Sequence, residues 1–396
     1  MGQDEARIGR RPLAALLGAA TAAAAGPTVA RAQAAPVKVA LITPLTGTFA
    51  SVGTQMIAGA RQYMLDHGDT VAGRKVELVI RDDGAVPAVS RRIAQELVVN
   101  DKVDFLAGMG LTPIALAVAP ISNSAKVAQI VMLAGTSSIL AASPFMTCTS
   151  TTLPQVAGPF GEWVARHGTG SVVTLVSDYG PGIDTEQWFA NGYERAGGRI
   201  LQKLRVPLEN PDFAPFLQRA ADAKPDGLFI FVPSGLGTTL MRQFVERGLD
   251  RSGIRLLATG DVLDDQIMDQ IGPVSLGVIS AYHWSDAHDS DLARAFTRAV
   301  ERASNGVRAN MAAVGAYDGM AVIFKALEKT SGKTGGPEVM AAIRGLRWES
   351  PRGPVEIDAE TRDIVQNVYI RRVEQVDGRY RNVEIETIPM VRDPAK

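Results

Sequence analysis

Short β-branched runs alternate with longer segments of helical spacing along most of this chain, and that alternation limits the folds open to it. Val37–Ile42 reads as a strand and Gln55–Asp66 as a helix. Lys75–Asp82, Asp104–Ala107 and Gln129–Leu133 read as further strands, separated by helices at Pro87–Asn100 and Pro113–Ala125. After an interruption the series resumes with strands at Ser171–Val176, Arg199–Leu204, Gly227–Val232, Ile254–Ala258 and Gly277–Tyr282. The helices between them are expected at Ile183–Ala196, Phe213–Ala223, Leu236–Gly248 and Asp264–Ile271. Apolar runs without polar alternation imply strands covered on both faces, as in parallel sheets flanked by helices. Repeated strand–helix units of this kind give an α/β fold of the doubly wound type.

Two such series fit better than one. The stretch ASPFMTCTSTTLPQVAGP breaks the alternation with Pro144, Pro154 and Pro159, as a passage between lobes would. A second passage is expected in SAYHWSDAHDSD and a third at WESPRGPVEID. Between these lie only helices, Asp291–Ser304, Met311–Thr330 and Pro337–Gly345, which must return to the first sheet. Asn367–Val376 and Asn382–Ile388 alternate like an antiparallel pair around Asp377-Gly378 and are placed on the second lobe. The expected limits are 35–150 with 286–350 for lobe 1, and 151–285 with 351–396 for lobe 2.

Residues 1–34 have a basic start, an Ala-rich apolar middle and small residues at the end, the three parts of an export signal. Arg10-Arg11 admits the twin-arginine route. Without that segment 37 Lys and Arg face 40 Asp and Glu, a net charge of −3. No basic stripe is then available for phosphates, and nucleic acid is not an expected partner. Cys148 is the single cysteine, so a disulfide within the chain is excluded and stability must come from the core.

Ligands of open α/β sheets bind beyond the carboxyl ends of the strands. Four of those ends are unusual here. The first, ITPLTGTFASVG, is rich in Thr, Ser and Gly. The second is AGMGLTP, where Thr112-Pro113 opens a helix whose free N–H groups suit a carboxylate. The third is LAGTSS and the fourth VSDYGPG, where Tyr179 could close over a ligand. For any single loop, ordinary helix capping accounts for such residues. Several of them on one sheet edge point to a site.

Taken in order, ITPLTGTFASVG, LAGTSSIL, SDYGPG, DFAPFLQRAADAKPDGLFI and AYDGMAVIFKAL resemble the exported solute-binding proteins of branched-chain amino acid type ABC transporters. The resemblance covers nearly all of residues 36–390. It implies the type I periplasmic binding fold: two doubly wound α/β lobes joined by three hinge crossings that close on a small ligand. It implies that Thr112 and Thr136 hold a ligand carboxylate, that the Ala134 carbonyl and Asp261 hold an ammonium, and that Tyr179 is an aromatic wall. The family pattern is broken at two places. Ser234 stands where an aromatic is expected, and Leu111-Thr112 replaces a Ser-rich run. The lost ring leaves room for a guest larger than leucine, and Phe49 and Trp284 could add aromatic surface. The candidate ligand-binding set is Phe49, Ser51, Thr112, Ala134, Gly135, Thr136, Tyr179, Ser234, Asp261 and Tyr282.

The implied function is capture in the periplasm of a carboxylate-bearing solute, whether amino acid, amide or aromatic acid, for an ABC permease in the inner membrane. A monomer without cofactor or metal is expected. The competing class is an exported α/β enzyme using His283, Asp286, His288 and Asp289. His283 and His288 are five residues apart and share no helical face, so a polar crossing is the simpler account. A sensor for a membrane receptor would look the same in sequence.

Overall fold

A computed structural model describes residues 34–396; the expected export signal and its twin arginines lie outside the described residues. The chain begins with β1 (Val37–Thr43), α1 (Ala50–His67), β2 (Thr70–Val71), β3 (Arg74–Asp82), α2 (Pro87–Glu96), β4 (Phe105–Gly108), α3 (Thr112–Ala125), β5 (Ala128–Val131) and β6 (Met146–Cys148). These strands form one sheet in the order β2-β3-β1-β4-β5-β6, parallel except at β2. The chain then adds α4 (Leu153–Arg166), β7 (Ser171–Ser177), α5 (Gly180–Arg195), β8 (Arg199–Val206), α6 (Ala214–Asp222), β9 (Gly227–Phe231), α7 (Gly237–Glu246), β10 (Arg255–Thr259), α8 (Met268–Ile271) and β11 (Ile279–Tyr282). It returns through α9 (Asp291–Ala303), α10 (Met311–Lys329) and α11 (Gly336–Ile343), and ends with β12 (Arg347–Ser350), β13 (Gly353–Ile357), β14 (Ile364–Val376) and β15 (Arg379–Val391). The second sheet runs β8-β7-β9-β10-β11-β14-β13-β12, with β15 on β14.

The fold is therefore two doubly wound α/β lobes crossed three times, after Cys148, Tyr282 and Ile343. In the first sheet β1 lies between β3 and β4, and in the second β7 lies between β8 and β9, so β1 and β7 mark the points where the winding reverses. Loops part there, which is where a crevice forms.

The central strands carry the core. Val39, Ala40, Leu41 and Ile42 are wholly buried, as are Leu228, Phe229 and Ile230 on β9. Apart from Ala40, each such side chain contributes about 1.5–3 kcal/mol by leaving water. On the first lobe α10 packs on α1 so closely that a Cβ at Gly59 would sit 1.9 Å from the Ala313 carbonyl oxygen. Only glycine permits that approach.

The crossing expected in ASPFMTCTSTTLPQVAGP falls there, after Cys148, but the stretch also carries β6 and the start of α4, which were not expected. Pro154 is tolerated in the first turn of α4, and Thr152 with Gln155 closes a capping box there. The helix expected over Asp264–Ile271 is only Met268–Ile271. The Asp264 carboxylate instead folds back on the Gln266 N–H at 3.0 Å, which holds the segment in a turn.

A buried ion pair braces the crossings. Arg352 pairs with Asp318 of α10 at 2.8 Å, both side chains fully shielded from solvent. The same guanidinium donates to the carbonyls of Thr149 and Ser150, in the first crossing.

Candidate ligand-binding site

One cavity lies between the lobes at the carboxyl ends of both sheets, lined by Phe49, Val52, Gly110, Leu111, Thr112, Leu133, Ala134, Gly135, Thr151, Leu153, Tyr179, Pro181, Phe231, Pro233, Ser234, Asp261 and Tyr282. Its atom-free space, mouth included, is about 510 Å³. No Lys, Arg or His is among the lining residues. Eight of the ten candidates come together here; Ser51 and Thr136 are not in the lining.

On the lobe 1 side, Asp82 shapes the opening loop by accepting from the Leu45 N–H and the Thr46 hydroxyl, each at 2.8 Å. Thr46 is thus spent on loop geometry, while Phe49, at the start of α1, reaches the cavity. Thr112 does not cap α3; Leu111 holds the cap position, without a side-chain bond. The Thr112 hydroxyl instead shares a 3.0 Å hydrogen bond with that of Thr136. Thr136 is thus hydrogen-bonded to a lining residue without lining the cavity itself. Gly135 is pressed against the chain opposite: a Cβ there would come within 2.8 Å of the Thr151 carbonyl oxygen.

On the lobe 2 side, Tyr179 stacks on Phe231 with ring centroids 6.4 Å apart and planes 20° from parallel. Phe231, the last residue of β9, was missed from sequence. It supplies an aromatic wall three residues before Ser234, the position where a ring was expected. Trp284 adds none: it is fully buried and packs edge-on against Phe296 at 5.8 Å. Ser234 is bound to Asp264 through its hydroxyl.

Asp261 and Tyr282 form the polar end of the cavity. The Tyr282 hydroxyl donates to Asp261 Oδ1 at 3.1 Å. Asp261 Oδ2 is shielded from solvent and has no hydrogen-bond partner among the described residues. Burial pushes the Asp261 carboxyl up to about 6 against hydrogen bonding that favours the anion. Burial and the neighbouring Asp261 carboxylate both push the Tyr282 hydroxyl up, so it remains a donor.

The histidine cluster disperses. His283 is fully buried, and neither ring nitrogen has a partner among the described residues. Burial and the charges of Arg352 and Arg371 hold it neutral, well below the usual histidine range. His288 pairs with Glu384 at 3.0 Å, Asp286 with Arg308 at 3.2 Å and Asp289 with Arg294 at 2.5 Å. Among the described residues no His, Cys, Asp and Glu converge in a metal-holding group. Cys148 is buried, and burial pushes its thiol up to about 12, where it is not a nucleophile at neutral pH.

Two wound lobes with a ring-walled cavity between their strand tips define a ligand-capture protein of the solute-binding class. The chain belongs to the periplasmic binding protein family, which matches residues 36–379, and within it to the type I proteins of the branched-chain amino acid kind. It is 43% identical over 363 residues to the Leu/Ile/Val-binding protein homolog 6 of Brucella melitensis, covering 90% of this chain and 93% of that one. A solute-binding protein of an ABC transporter from Rhodopseudomonas palustris BisB5, solved with 3,4-dihydroxybenzoic acid, is 50% identical with a TM-score of 0.89, covering 91% and 99%. One from Rhodopseudomonas palustris HaA2, solved with p-hydroxybenzoic acid, is 40% identical with a TM-score of 0.88 and the same coverage.

Proposed function

We propose that this protein captures a small aromatic carboxylic acid of the hydroxybenzoate kind in the periplasm and delivers it, as a monomer, to an ABC permease in the inner membrane. No chemical step is involved. The observation that carries the reading is a cavity walled by Phe49, Tyr179, Phe231 and Tyr282 with hydroxyl groups at one end and a carboxyl at the other. Flat rings suit a flat guest. The Thr112 hydroxyl and the start of α3 suit its carboxylate, and Asp261 with Tyr282 suits a ring hydroxyl. The aromatic acids held by the two relatives from Rhodopseudomonas palustris support this choice.

A branched-chain amino acid is the second reading. It is favoured by the unpartnered Asp261 Oδ2, which an ammonium would satisfy, and by the naming of the Brucella relative. Lobe limits of 35–150 with 286–350 and 151–285 with 351–396 suit closure about the crossings. The pairing of β12 with β13 favours moving the last limit to before Arg347.

A thermal-shift screen of 4-hydroxybenzoate, 3,4-dihydroxybenzoate, benzoate, leucine and valine tests the reading. A ligand that binds only the folded chain raises its melting temperature by mass action. Shifts with the hydroxybenzoates are expected; shifts with the amino acids alone would overturn the aromatic assignment.

A further inference from the structure

An aromatic acid brings a negative charge into a cavity that already holds a carboxyl group. Asp261 faces that cavity with one oxygen engaged by Tyr282 and the other unpartnered among the described residues. The groups around it offer no positive charge on the cavity side. Tyr282 on β11 and Tyr179 before α5 are neutral phenols. Ser234, after β9, is committed to Asp264. Asp264, in the same loop as Asp261, is a second buried acid that also accepts from Asn310 at 2.9 Å. The buried cation on this side is Arg371 of β14. Its guanidinium carbon lies 5.5 Å from the centroid of the Tyr282 ring. Its N–H groups go to the Ser280 hydroxyl and the Trp284 carbonyl rather than to Asp261. His283, beside Tyr282, is neutral.

We propose that Asp261 is a neutral carboxylic acid in the loaded complex, so that the protein takes up one proton from solvent with each anionic aromatic guest. The proton adds to Oδ2, the buried oxygen without a hydrogen-bond partner among the described residues, which changes from an acceptor into a donor. No bond in the guest is made or broken. A ring hydroxyl oxygen of the guest is the matching acceptor, while its carboxylate stays at the Thr112 end.

The direction follows from electrostatics. Burial raises the Asp261 carboxyl to about 6 in the empty cavity. A second anion in the same closed space shifts it further the same way. An ammonium-bearing guest would do the opposite: it supplies the missing cation and leaves Asp261 ionised. The proton count therefore distinguishes the two guest classes at a single residue.

This inference rests on the aromatic-acid reading, and one experiment separates the two. Calorimetry of the full folded chain with 4-hydroxybenzoate is run at pH 7 in two buffers of different ionisation enthalpy, then repeated from pH 6 to 8. Uptake approaching one proton per guest is expected, with affinity falling about tenfold between pH 7 and pH 8. The Asp261→Asn variant, fixed in the neutral state, should show no uptake and a flat pH profile. Tight binding with uptake below ~0.2 proton and a flat wild-type profile would overturn the protonated Asp261 while leaving the aromatic assignment intact. Absence of binding by both hydroxybenzoates would overturn that assignment and this inference with it.

Discussion

Asn310 donates through Nδ2 to Asp264 Oδ2 at 2.9 Å, joining the first turn of α10 on one lobe to the loop after β10 on the other. The same Asp264 oxygen accepts from Ser234, which lines the cavity. A hydrogen-bonded chain thus runs from cavity wall to the opposite lobe.

Asn310→Asp isolates that link. Asn310 also caps α10 by accepting from Ala312 and Ala313 through Oδ1, a role aspartate fills equally well. The substitution replaces one donor with an acceptor facing Asp264. Ligand affinity should fall by about tenfold, the equivalent of ~1.4 kcal/mol. Small-angle scattering should show a larger radius for the variant at sub-saturating ligand. Unchanged affinity and radius would remove this contact from closure.

Thr112→Val removes the hydroxyl that is hydrogen-bonded to Thr136 and keeps the shape. The melting temperature of the unliganded protein should change little, because the lost bond is side chain to side chain beside a cavity. Affinity for a carboxylate ligand should weaken about five- to tenfold, as expected for one hydrogen bond to a charged group. Calorimetry of both proteins measures the difference.

What sequence alone disclosed follows from which residues carry a period. Val39–Ile42 and Leu228–Ile230 are covered on both faces, so they form apolar runs that are hard to misread. The loops after β1, β4, β5 and β7 were visible because Gly and Ser or Thr cluster where a strand stops. Phe231 was invisible as a site residue, since it ends an apolar strand and looks like core. β6 and α4 were hidden because Pro144, Pro154 and Pro159 outweighed the capping box of Thr152 and Gln155. Ser51 and Thr136 lie in the right loops but are not among the residues that line the cavity. Spacing identifies the loop, but only the backbone path decides which of two adjacent hydroxyl groups faces inward.

Breaking the brace at the crossings should be costly. Asp318→Ala leaves the Arg352 guanidinium buried without its carboxylate and deprives the Trp348 N–H and the Ser350 hydroxyl of an acceptor. A loss of about 3–5 kcal/mol is expected in denaturant unfolding. An apolar replacement of both partners, Asp318→Leu with Arg352→Met, should recover much of that loss. If the single variant unfolds like the wild type, the pair does not brace the crossings.

Asp363 should give stability a pH dependence of unusual sign. Burial pushes its carboxyl up to about 7, with the Lys396 ammonium, 3.6 Å away, acting in the opposite direction. The unfolded value is about 3.9. Between those values the folded chain holds a proton that the unfolded chain has lost. This group's contribution is therefore full below about pH 4, falls as pH rises to 7 and is constant above. Asp363→Asn should melt higher than the wild type at pH 8, with the gap closing toward pH 4. A gap that widens on acidification would reverse the assignment.

The missing lysines and arginines of the cavity wall also bear on departure. A guest held by hydroxyl groups, helix-start amides and ring faces has no fixed counter-charge to pull away from. On the aromatic-acid reading its off-rate is expected to follow how often the lobes part rather than rupture of a buried ion pair. Residence time becomes a property of the hinge, and whatever grips the outer faces of the lobes can set it without touching the guest.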